Sequence, residues 1–75
     1  MTESKIMALQ CAAQAINATR IMIQGFQVQE EEAIDKTGDV AKQEQHESNA
    51  SLLDEAAFFL EEAVKNLREI PEVAE

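Results

Sequence analysis

The chain has 75 residues, enough for one small domain that buries only about 60% of the surface its unfolded form exposes. Fifteen acidic and six basic side chains give a formal charge of −9, which opposes direct binding to nucleic acid or to an anionic membrane. Cys11 is the only cysteine, which excludes an intrachain disulfide and leaves oligomerisation as the usual support for a domain this small.

The chain opens Met1-Thr2-Glu3-Ser4-Lys5, without the cationic stretch of a secretory signal. Gln10, Gln14, Asn17 and Arg20 interrupt the apolar run that follows, so it does not read as a membrane span. The expected location is the cytoplasm, and a single cysteine fits a reducing compartment. Thr2 or Ser4 can cap the first helix. Ile6, Leu9, Ala13, Ile16 and Ile23 recur at spacings of three, four and seven, one face of an α-helix. Beside them run Ala8, Cys11, Ala12, Ala15, Ala18 and Met22, a second face of small residues that lets another helix approach. Cys11 is expected to pack there as a small hydrophobe.

Gly25 falls inside this run, as a tolerated defect, a close helix contact or a kink. The period resumes at Phe26, Ala33 and Ile34, which predicts a helix over about 4–36. Lys36-Thr37-Gly38-Asp39 is the turn, with Gly38 suited to a left-handed position after the helix end and Asp39 to capping the next helix. Two starts compete for the second helix. One is Asp39. The other is Ser51-Leu52-Leu53-Asp54, which has the form of a capping box. Residues 42–49 are entirely polar but contain no glycine or proline, which favours the earlier start and a helix over about 40–70.

Leu53, Ala57, Leu60, Val64 and Leu67 form an a/d ladder, flanked by Leu52, Ala56, Phe59, Ala63 and Ile70. Pro71 should stop the helix, leaving 71–75 frayed. If the chain folds back near Gly38, residue i faces residue 76 − i: Ile6 meets Ile70, Leu9 meets Leu67, Ile16 meets Leu60 and Ile23 meets Leu53. The expected fold is all-α, one antiparallel helical hairpin. Its double apolar coverage exceeds what two helices bury, so it should dimerise into a four-helix bundle on Ile6, Leu9, Ile16, Ile23, Leu53, Leu60 and Leu67. In layout alone this resembles the small hairpin regulators of plasmids and phages.

Nothing in the chain equips it for catalysis. There is no Gly-rich phosphate loop, no paired-cysteine motif, no Ser-His-Asp arrangement, and neither Trp nor Tyr. No cofactor is called for. His46 faces Glu30 in the folded register while Glu32 faces Glu44, a set able to hold a divalent metal. However, Gln43 stands three residues before His46, so the Glu-x-x-His motif of di-iron bundles fails. Arg20 occupies a core-stripe position opposite Ala56, its head expected to reach Asp54 or Glu55.

Phe58 lies off both apolar stripes among Asp54, Glu55, Glu61 and Glu62, the pattern of an aromatic anchor with a charged rim. The leading expectation is therefore a small, acidic, non-enzymatic protein-interaction module. It would act as an adaptor, regulator or inhibitor, as a homo-oligomer with a basic protein partner. Phosphate mimicry by the acidic residues around Glu30-Glu31-Glu32, blocking a basic nucleic-acid-binding cleft, is the first alternative. A metal-binding bundle is the second.

Overall fold

A computed structural model of the chain describes residues 3–70. Two helices, α1 (Glu3–Lys36) and α2 (Val40–Arg68), form an antiparallel hairpin measuring 62 × 14 × 11 Å along its principal axes. Ser4 lies inside α1 rather than at its cap. Thr2, Pro71 and the tail 71–75 lie outside the described residues. Residues 42–49 are helical, so the capping-box reading of Ser51 gives way to Asp39. The Asp39 carboxylate accepts from the backbone N–H of Ala41 (2.9 Å) and Lys42 (3.4 Å), satisfying two of the donors that a helix start leaves open.

The turn corrects one expectation. No glycine among the described residues has a positive φ, so Gly38 does not take the left-handed position. Side chains close the turn instead. Thr37 Oγ1 accepts from the Asp39 N–H at 3.3 Å, and Gln43 Nε2 donates to the Thr37 carbonyl at 2.9 Å. Gly25 is a plain helical residue. α1 runs through it unbroken, and a Cβ added there would meet nothing within 4 Å, so it marks neither a helix end nor a close contact in the hairpin.

Burial follows a heptad ladder along the full length of both helices. In α1 the a/d positions are Ile6, Leu9, Ala13, Ile16, Arg20, Ile23, Gln27, Glu30 and Ile34, and Thr37 continues the series into the turn. In α2 they are Gln43, His46, Ala50, Leu53, Ala57, Leu60, Val64 and Leu67. Every one of these is buried or half-buried, and nearly every position off the ladder is exposed. Strict alternation of three and four residues keeps a seam facing its partner whatever fills it. That is why the ladder continues through Gln27, Glu30, Gln43 and His46. Ile70 departs from its expected pairing with Ile6: it lies beyond the end of α2 and is exposed.

The interior is thin. Among the described residues only Ala13, Ala50, Ala57 and Val64 are buried, and no larger side chain is. The seven residues expected to form the core are half-buried on the ladder. Cys11, expected to pack, is exposed, because it sits on the outer surface of α1 opposite the seam. No helix is long and apolar enough to cross a membrane among the described residues.

Candidate functional site

Cross-helix polar contacts fix the register at the tip. His46 Nδ1 lies 2.5 Å from Glu30 Oε2, as the 76 − i register requires, and Asn49 Nδ2 donates to Glu30 Oε1 at 3.5 Å. Gln27 Nε2 reaches Asp54 Oδ1 at 3.5 Å and Glu31 Oε1, on its own helix, at 3.2 Å. The Glu30 and His46 side chains remain 26% and 30% exposed, so water reaches the pair. Glu32 and Glu44 are both exposed. No group of three or more His, Cys, Asp or Glu side chains converges closely enough to hold a metal among the described residues. The Glu30–His46 contact is accounted for as a polar rung of the ladder.

Arg20 does not reach across to Asp54 or Glu55. Its guanidinium donates to Asn17 Oδ1 through Nε (3.0 Å) and Nη2 (2.8 Å), and to Gln24 Oε1 through Nη1 (3.1 Å). Both amides lie about one turn away on α1. The stem thus stays in the seam while the head is satisfied locally.

These contacts also define the two sides of the hairpin. Along one side run the e positions of both helices. Asn17 and Gln24 of α1 share two shallow open grooves with Asp54, Glu61 and Arg68 of α2. In an antiparallel pair the g positions then share the opposite side. That side carries Ala8, Ala12, Ala15, Met22 and Phe26 from α1, and Leu52, Ala56, Phe59 and Ala63 from α2.

The adjacent phenylalanines therefore part company. Phe58 faces the side of the e positions, the more polar of the two, where Met7, Ile21 and Val28 of α1 are exposed as well. It is 56% exposed, in a groove with Gln24, Ser51, Asp54, Glu55 and Glu61. Phe59 faces the apolar side and is 62% exposed; the two rings meet edge to face with centroids 5.7 Å apart. Of the residues expected to surround Phe58, Asp54, Glu55 and Glu61 line its groove. Glu62 lies in the neighbouring groove, with Arg20, Lys65 and Arg68. Sequence reasoning had placed Asp54 beside Phe58, but not Gln24 or Ser51. Gln24 shares the e positions with Asp54 about a common register, and Ser51 stands seven residues before Phe58 on the same face; those spacings are the signals that find them.

The tip is the second concentration of chemistry. Residues 27–51 carry seven acidic side chains against Lys36 and Lys42, a formal −5. Six of the seven acids are exposed, and Glu30 is turned inward toward His46. Neither a family model, nor a curated protein, nor a solved structure matches this chain.

Proposed function

We propose that this chain is a small, acidic, non-enzymatic interaction module of the cytoplasm. In this reading it works as a homodimeric four-helix bundle and binds a basic partner protein through the groove around Phe58. The observation that carries this reading is the position of Phe58. A large apolar ring stands open to solvent on the polar side of the hairpin, with Asp54, Glu55 and Glu61 around it. Such a ring, once desolvated by a partner, contributes about 2 kcal/mol or more to binding, while the carboxylates around it govern the association rate and its salt dependence. A partner that lays an apolar side chain on Phe58 and basic groups on the rim satisfies both. The exposed carboxylates of the tip support a second reading, mimicry of nucleic-acid phosphates toward a basic cleft.

The test is capture from the native host with the wild-type chain and with Phe58→Ala, each at low and at physiological salt. A partner retained by wild type and released by Phe58→Ala, at unchanged helicity and mass, supports the groove. Charge reversal of Glu55 and Glu61 should slow its association most at low salt. A partner indifferent to Phe58 but lost on charge reversal of Glu31, Glu32 and Glu44 transfers the site to the tip.

A further inference from the structure

We propose that the apolar side of the hairpin, opposite Phe58, is the seat of a second copy of this chain, and that the two copies lie antiparallel with their acidic tips at opposite ends. This deepens the dimeric reading above and rests on it.

The area calls for a partner. A compact monomer of 8.3 kDa exposes about 4,600 Å². This chain exposes 5607 Å², an excess of about 1,000 Å² over that scaling. Each partner in a standard stable interface buries about 800 Å². Met22, Phe26, Leu52 and Phe59, all exposed, join Ala12, Ala56 and Ala63 beside the seam on this side, whereas the exposed Met7, Ile21, Val28 and Phe58 of the opposite side stand behind Asn17, Gln24, Asp54 and Glu61. The apolar side is also dry in character. Between Ala8 and Phe26 its polar member on α1 is Thr19, whose hydroxyl donates to the Ala15 carbonyl at 3.0 Å; Lys5 stands at its outer end.

Two features choose a second copy and its orientation. The first is self-complementarity, which a two-fold interface requires. The face is small at one end of α1, with Ala8, Ala12 and Ala15, and large at the other, with Met22 and Phe26. Turning a second hairpin end over end about the level of residues 17 and 61 sets Phe26 against the partner's Ala8 and Met22 against the partner's Ala12. On α2 it sets Phe59 against the partner's Ala63. Residues 17 and 61 stand at nearly the same height, given the contacts of Glu30 with His46 and Asn49 and of Gln27 with Asp54. One rotation therefore serves both helices.

The second feature is charge. The large apolar side chains of the face stop at Phe26 and Leu52, because Gln29, Lys36, Lys42, Gln45 and Asn49 occupy its continuation toward the turn, with only Ala33 apolar among them. Side-by-side hairpins with tips together would bring two −5 ends into contact for no further apolar gain. The end-over-end arrangement separates the tips by about 60 Å at about 1.5 Å per residue, far beyond a Debye length of about 8 Å.

The experiment places a single label at the turn. Gly38→Cys in a Cys11→Ser background is sterically open, since a Cβ at Gly38 meets nothing within 4 Å and its φ is not positive. Nitroxide labels there should report an intermolecular distance near 60 Å by pulsed electron resonance, on a particle whose light-scattering mass is twice that of the chain. A dimer with labels under about 30 Å apart overturns the orientation and leaves the dimeric reading standing. A monomeric mass overturns both. In parallel, Phe59→Ala should raise the dimer dissociation constant at least about tenfold while Phe58→Ala leaves it within about twofold. Phe59 is exposed in the hairpin, so its loss spares the packing between α1 and α2. The reverse ranking of the two phenylalanines overturns the choice of face.

Discussion

Between Ile6 and Ile23, and between Leu53 and Leu67, the ladder is filled by Ile, Leu, Val and Ala with one interruption, Arg20. Between Gln27 and His46 the same ladder is filled by Gln27, Glu30, Thr37, Gln43 and His46, relieved by Ile34. The backbone geometry is shared and the chemistry is not. Apolar rungs stabilise by removing surface from water at about 25 cal/mol per Å². Polar rungs add little net free energy, because each hydrogen bond replaces one to water, but they are directional. Glu30 meets His46 and Asn49 in only one register, so a slip of one rung leaves it without them. The apolar half supplies stability, and the polar half selects alignment, as single polar residues do in coiled-coil seams.

A carboxylate placed in each half breaks the comparison most directly. Leu60→Glu sets an unpaired charge among half-buried apolar rungs and should cost several kcal/mol, enough to unfold the chain by circular dichroism. Gln43→Glu, at an equivalent rung near the turn, should lower the melting temperature by only a few degrees. Equal losses would show that both halves carry the fold alike.

Converting the tip to the chemistry of the other half sharpens the contrast. Glu30→Leu combined with His46→Leu should raise stability by about 1–2 kcal/mol, while Glu30→Leu alone gains less because it removes the partner of His46. Native-state hydrogen exchange reads the same difference. In the wild-type chain, amides of residues 27–49 should exchange at least about tenfold faster than those around Ile16 and Leu60, and the double variant should narrow that gap. Uniform protection along both helices in the wild type would contradict the division.

Smaller effects belong to the helix ends and to the glycine. Asp39→Ala removes the acceptor for Ala41 and Lys42 and should cost about 1 kcal/mol in denaturant titration, through the start of α2. Gly25→Ala should stabilise by about 0.5–1 kcal/mol, since the position is helical and open. A loss of stability there would place Gly25 against a second chain.

The sequence by itself determined the two helices, the position of the turn, the Asp39 cap and the register that brings Glu30 to His46. Each depends on local chemistry: a 3.6-residue period, a carboxylate at a helix start, and a fold-back point between two runs of similar length. It also marked Phe58 as an outlier, because a helical phase is readable from spacing alone. The absence of glycine and proline favoured a helix over residues 42–49, and the tertiary structure settled it against the later start at Ser51. Polar residues carry no hydrophobic period, and only the facing α1 reveals that Gln43 and His46 sit on its seam. The same holds for Arg20, whose amide partners on α1 lie within reach without crossing the seam. Spacing alone set Phe59 on the flanking stripe and Phe58 off it, but the side of the hairpin that each ring faces needed the partner helix. Spacing places neighbouring residues about 100° apart around the helix axis, but which of those directions is groove and which is open apolar face depends on where the other helix lies.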